Sequence, residues 1–177
     1  MTDLMSKMLQ VPFKSYEQAT LYLEDEAKLA GVKHLSYWNL QFIDGTPDHV
    51  VWVATYDPLY MSKYMSTFTP MGDPVLERVM DDHVVIDWSE WLEKGVASEI
   101  QAAAAEYGIT RYGLSLPLHA GAGGKTVFSV NACSNEQRWP QERGIIAKRF
   151  RRFAMEFDAR MQPLISEREK GKSVYAL

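Results

Sequence analysis

Tyr56, Tyr60 and Tyr64 recur every fourth residue in the stretch ATYDPLYMSKYM, and Asp73-Pro74 follows nine residues after the last of them, with Met61, Met65, Met71 and Met80 spread through the segment. On a helix, residues four apart share a face. The three phenols would then stand in a row, each an aromatic body carrying a hydroxyl that can donate or accept. A single carboxylate beside such a row is suited to accept an amide N–H, and methionines conform to variable apolar surface. Small-molecule pockets are built this way, mostly apolar with a few polar groups that fix orientation. The same spacing equally fits an ordinary core with tyrosine hydroxyls at the surface, and spacing does not decide between the two.

Other chemistries find less support. Asp81-Asp82-His83 puts an imidazole beside two carboxylates, but adjacent residues rarely face one another to form an acid–base pair. The sequence has no G-x-S-x-G elbow. Its four histidines and single cysteine, Cys133, fall at no zinc spacing. The glycine-rich run HAGAGG lacks the lysine and hydroxyl residue of a phosphate loop and is followed by a strand-like rather than a helical run. No enzyme, metal or cofactor is expected.

The elements that must position the tyrosines and the aspartate are readable in outline. At 177 residues and 46% hydrophobic the chain supports one domain with a sizeable core. A net charge of -4 gives no broad attraction for nucleic acid, and the charge run Lys148 to Arg152 reads as a solvated helix face. Ser15 with Gln18 forms a capping box for a helix that ends at Gly31. HLSYWNLQFI and DHVVWVATY flank Asp44-Gly45-Thr46-Pro47 as a hairpin. Residues 58–80 read as short helices broken by Pro70, Gly72 and Pro74, residues 84–88 as a short strand, and Ser98 to Tyr107 as a helix closed by Gly108. TRYGLSLPL and KTVFSVNAC form a second hairpin, and Trp139-Pro140 opens a long helix whose buried stripe is Ile146, Phe150, Phe153, Phe157 and Met161. This order implies an α/β protein of the α+β type, an α-β-α sandwich with a central antiparallel sheet flanked by helices on both faces.

As a set, Tyr56, Tyr60, Tyr64, Asp73-Pro74, Trp88 fifteen residues after Asp73, and Gly108-Ile-Thr-Arg-Tyr-Gly113-Leu-Ser-Leu-Pro117 resemble the acyl-homoserine-lactone-binding domain of LuxR-type quorum-sensing transcription regulators. The similar order of helices and hairpins extends this from about Ser15 to Met161. The resemblance implies that Asp73 accepts the ligand's amide N–H, Tyr56 donates to its acyl carbonyl, and Tyr60 stands where the family usually has a tryptophan that binds the lactone carbonyl. It also implies that Ser129 lies near the amide, that Tyr64 and Trp88 wall the pocket, and that Pro74 and Gly113 are structural.

By the same resemblance the ligand is an N-acyl-homoserine lactone of unknown tail, the protein is a homodimer, and DNA is reached only through a helix-turn-helix domain that residues after Met161 are too few and too polar to supply; the single cysteine and the lack of a signal-like or membrane-spanning run suggest the cytoplasm. The signal-binding domain is expected over 1–165, with 166–177 a polar tail or the start of a linker, and no membrane segment. Two alternatives stay open. Tyr60 in place of tryptophan suits a non-lactone signal, and a chain without the DNA-binding half suits a ligand-free dimerisation partner or antagonist.

Overall fold

The computed structural model describes residues 11–44, 46–91, 95–118 and 124–170. The residues expected to form a glycine-rich turn lie, at 119–123, outside the described residues, as do the first ten and the last seven.

Helix α1, Tyr16–Ala30, starts where the capping box requires: the Ser15 hydroxyl accepts from the Gln18 amide at 3.1 Å, and Gln18 Oε1 reaches back to the Lys14 amide at 2.8 Å. It ends on Gly31, whose φ of 68° lies in the left-handed region that glycine enters without a Cβ penalty. Strands β1 (Val32–Ile43) and β2 (Thr46–Ala54) pair antiparallel through the expected hairpin, with a bulge between Gln41 and Phe42. Helix α2, Pro58–Thr67, is capped by Asp57 Oδ1, which accepts from the Leu59 amide at 2.7 Å. A 3-10 turn, Pro70–Gly72, then leads into α3, Pro74–Asp82. The punctuation read from Pro70, Gly72 and Pro74 is therefore where the chain breaks.

The expected strand over 84–88 is shorter: only Ile86 and Asp87 pair, as β3, against Ser115 and Leu114. It stops because Asp87 Oδ1 accepts from both the amide and the hydroxyl of Ser89, which turns the chain into the single-turn helix α4, Trp88–Trp91. Helix α5, Gly95–Ala105, starts three residues before the expected Ser98. Gly108, at φ 75°, closes the turn after it. Strands β4 (Gly113–Leu118) and β5 (Gly124–Ala132) pair as the second hairpin, and α6, Trp139–Lys170, runs through Pro163 and on past residue 165, so residues 166–170 are helical.

The described strands form one five-stranded antiparallel sheet in the order β2-β1-β5-β4-β3. Because side chains alternate across a strand, β1 sends Leu35 and Tyr37 to one face and Ser36, Trp38 and Leu40 to the other. The first face packs on α1 and α6 through Leu23, Phe128, Phe150, Phe157 and Met161, with Tyr37 donating to Asp158 of α6 at 2.7 Å. The second face packs on α2, α3 and α5 and holds the tyrosine row. The sandwich expected from the order of elements is thus the one observed. Apolar residues on both faces of a sheet demand a helical cover on each.

Candidate functional site

Tyr56, Tyr60, Tyr64, Asp73, Trp88 and Ser129, the six ligand residues anticipated from the sequence, all line one cavity of about 70 Å³ between the second sheet face and helices α2, α3 and α5. Tyr60 and Tyr64 project from α2 one turn apart, and Tyr56 enters just before its cap. The rings touch in sequence: Tyr56 meets Tyr60 edge-on at 5.6 Å between centroids, Tyr60 meets Tyr64 at 6.0 Å, and Tyr107 adds a fourth phenol against Tyr60 at 5.7 Å. Tilted and edge-on contacts of this kind are the favoured aromatic geometries.

Asp73 does two jobs. Its Oδ1 caps α3 by accepting from the Val75 amide at 2.9 Å and the Leu76 amide at 3.4 Å, and its Oδ2 accepts from the Tyr64 hydroxyl at 2.8 Å. Each carboxylate oxygen has two lone pairs, so Oδ2 retains capacity for a second donor from the cavity. Burial pushes the Asp73 carboxyl above its ordinary value, and its hydrogen bonds from Tyr64, Val75 and Leu76 oppose that rise. Pro74 occupies the first position of α3, where a missing N–H costs nothing.

Burial also pushes the Tyr56 phenol up to about 12, against a hydrogen bond with Ser36 that favours the ionised form and with the Asp73 charge adding to the rise. The Tyr60 phenol is raised further, by burial first and then by Tyr56 and Asp73, and the Tyr64 phenol is raised well above its ordinary value by burial, then by Asp73 and the neighbouring phenols. At neutral pH the row therefore consists of uncharged hydroxyls, able to donate.

The sheet supplies a polar floor. Ser36 of β1 pairs across with Ser129 of β5, which pairs with Ser115 of β4, so three buried serines lie side by side on the cavity face. Trp88 Nε1 donates to Ser115 Oγ at 2.9 Å, Ser115 and Ser129 share a hydrogen bond of 2.8 Å, and Trp38 Nε1 donates to Ser36 at 3.3 Å. Ser36, Ser115 and Trp38 were not singled out from the sequence. Ser115 is the one polar residue of β4, but Ser36 and Ser129 share their strands with other polar residues, and only the register between three strands brings the serines together.

Gly113 leaves no room for a side chain. A Cβ built there would lie 2.6 Å from Cδ2 and Cζ3 of Trp88, so the indole lies directly on the glycine backbone. Beside it, Asp87 accepts from Trp139 Nε1 at 2.9 Å and from Arg143 at 2.8 Å, which ties the strand preceding Trp88 to the start of α6. Burial raises the Asp87 carboxyl, but the Arg143, Ser89 and Trp139 hydrogen bonds outweigh it and hold the group below its ordinary value.

Asp81, Asp82 and His83 form no acid–base constellation. Asp81 pairs with Lys125 at 2.6 Å, Asp82 pairs with Arg78, and His83 is an exposed residue at the end of α3. Among the described residues no group of three His, Cys, Asp or Glu side chains could hold a metal ion, and no helix is long and apolar enough to cross a membrane.

The α-β-α sandwich thus holds a cavity lined by tyrosines, the Asp73 carboxylate and three serines. Residues 15–160 match the autoinducer binding domain family, and the chain belongs to it: it is an autoinducer-binding domain of the LuxR-type quorum-sensing transcription regulators. This is a family of signal-binding regulator domains and not of enzymes.

Solved structures share the fold at low identity. The N-acylhomoserine lactone dependent LuxR family factor CepR2 from Burkholderia cenocepacia superposes with a TM-score of 0.60 at 16% identity over 84% of each chain. Escherichia coli SdiA gives 0.65 at 17% identity, over 93% of this chain and 68% of that one. SdiA in complex with octanoyl-rac-glycerol gives 0.63 at 17%, over 92% of this chain and 65% of that one. No curated protein sequence matches the chain significantly.

Proposed function

We propose that this domain captures an N-acyl-homoserine lactone in the cavity between the sheet and helices α2, α3 and α5, and couples capture to dimerisation and to DNA binding by a regulator. The observation that carries this reading is the convergence of Tyr56, Tyr60, Asp73, Trp88 and Ser129 on one cavity. In the proposed pose Asp73 Oδ2 accepts the amide N–H, Tyr56 donates to the acyl carbonyl, Tyr60 donates to the lactone carbonyl, and Ser129 lies beside the amide. Tyr64 orients Asp73 through its hydroxyl and, with Trp88, walls the site. A ligand that binds only the folded domain stabilises it by mass action, several kcal/mol at large excess, and this supplies the switch.

The test is thermal unfolding with a panel of acyl-homoserine lactones on the wild type and on Asp73→Asn. A saturable rise in melting temperature for one lactone, lost in the variant, is expected. No rise with any lactone sinks the lactone reading.

A second reading keeps the regulator and changes the head group. Two observations favour it: Tyr60 replaces an indole N–H with a hydroxyl that can accept as well as donate, and the same fold in SdiA is known in complex with octanoyl-rac-glycerol. Under this reading Tyr60→Trp weakens the native ligand and strengthens lactone binding.

A further inference from the structure

The cavity is small for a ligand that carries an acyl tail. An apolar void of about 150 Å³ holds a benzene molecule, and drug-sized ligands occupy about 300–1,000 Å³; this cavity measures about 70 Å³. Any ligand with an acyl tail must therefore displace part of the lining. The walls differ in how easily they yield. Met61 on α2 is unbranched with three rotatable bonds and can change rotamer at modest cost.

Trp38 is different. It stands on β1, hydrogen-bonded at Nε1 to Ser36, 4% exposed, with the Tyr64 ring at 5.6 Å and Trp52 of β2 at 6.1 Å between centroids. Trp38 and Trp52 are direct cross-strand partners, so the two indoles brace each other. Serines from β1, β4 and β5 reach the cavity, yet among the described residues none of β2 does, although Val50, Trp52 and Ala54 belong to the same apolar cluster. Trp38 lines the cavity and packs on Trp52, so it stands between the cavity and the β2 part of that cluster.

We infer that Trp38 is a specificity-determining residue that stops the ligand's apolar tail, and that this domain selects compact, short-tailed ligands. The inference rests on the signal-binding reading but not on the identity of the head group. Where a tail finds room, each added methylene tightens binding several-fold; a wall reverses that trend.

The experiment uses two ladders of probes, butanoyl to dodecanoyl homoserine lactones and butanoyl to dodecanoyl glycerols, titrated by calorimetry onto the wild type, Trp38→Ala and the milder Trp38→Leu. In whichever ladder binds, the wild type should prefer the butanoyl or hexanoyl probe over the dodecanoyl one by about tenfold or more, the range over which pocket walls discriminate methylenes. Both variants should lose or reverse that preference. Wild-type affinity that climbs steadily to dodecanoyl overturns the inference and leaves signal binding intact, as does a folded variant with an unchanged preference. Should neither variant fold, the wild-type ladder decides alone. Failure of every probe in both ladders overturns the signal-binding reading and the inference with it.

Discussion

The Tyr64 hydroxyl donates to Asp73 Oδ2 at 2.8 Å while Oδ1 of the same carboxylate caps helix α3 through the Val75 and Leu76 amides. One side chain thus joins the end of the tyrosine row to the start of the next helix, and the group proposed to read the ligand is also a structural cap.

That dual role separates two substitutions. Asp73→Ala removes the cap, worth about 1 kcal/mol, and strands the buried Tyr64 hydroxyl, worth about 1–3 kcal/mol, so it should unfold at clearly lower denaturant. Asp73→Asn keeps an oxygen for the cap and offers Tyr64 an amide in place of the carboxylate, so its midpoint should lie close to wild type. Both should lose signal-dependent stabilisation, because neither has a free acceptor in the cavity. Equal destabilisation by the two would show that capping is not what Asp73 contributes.

Two aspartates should respond to acid with opposite signs. The folded Asp73 carboxyl is raised above its ordinary 3.8, so protonation favours the folded state. Its effect is a loss of stability as pH rises from that ordinary value through the folded one, and a recovery on acidification. Asp87 is lowered, so its contribution is present above 3.8 and fades as pH falls through its folded value. Melting curves between pH 3 and pH 7 should therefore show a flatter acid limb in Asp87→Asn and a steeper loss on acidification in Asp73→Asn, each relative to wild type. Limbs that change in the same direction would refute the assignment.

Gly113→Ala tests the contact with Trp88. With the indole 2.6 Å from the built Cβ, either the ring or the strand must shift. Overpacking of this kind costs about 1–3 kcal/mol. The expected result is a lower unfolding midpoint together with altered tryptophan fluorescence, since the hydrogen bond from Trp88 to Ser115 cannot keep its geometry. An unperturbed spectrum would mean that the ring does not sit there.

The serine floor gives an asymmetric prediction. Ser115→Ala strands the Trp88 N–H and removes the partner of Ser129, whereas Ser129→Ala leaves Trp88 paired with Ser115. Leaving a buried donor unsatisfied costs about 1–3 kcal/mol, so the Ser115 variant should be the less stable of the two in guanidinium unfolding. The reverse order would place the main partner of Trp88 elsewhere.

What the sequence disclosed, and what it withheld, follows from the range of each signal. Capping by Ser15 and Gln18, the stop at Gly31 and the breaks at Pro70 and Pro74 are local chemistry, and the chain obeys them. Strand β3 shrank to Ile86 and Asp87 because Asp87 turns the chain through Ser89, a side-chain bond that no periodicity reveals. The tyrosine row could be placed on one face from spacing alone, but its meeting with Ser36, Ser115 and Ser129 depends on register across three strands. In the sequence Trp38 is one aromatic within HLSYWNLQFI; only its pairing with Trp52 and its place in the cavity lining give it a distinct role. Tertiary juxtaposition, not element type, is where reading from the chain stopped.

Thr69 offers a last test, of the segment that carries Asp73. It adopts φ 61° and ψ 153°, a region open to glycine and strained for a β-branched residue by about 1–3 kcal/mol. Pro70 behind it demands an extended ψ, and the amides of Phe68 and Thr69 both bond to the Tyr64 carbonyl at 3.0 Å, so the chain is held in this corner from both sides. Thr69→Gly keeps every backbone bond and removes the strain, against a penalty of about 0.4–1 kcal/mol from the freer unfolded chain. The net expectation is a gain on the order of 1 kcal/mol and a higher guanidinium midpoint. Thr69→Ala keeps a Cβ in the same region and should recover little of it. If glycine instead lowers the midpoint, the Thr69 side chain supplies more stability than its backbone forfeits, and the corner before Asp73 is held by packing.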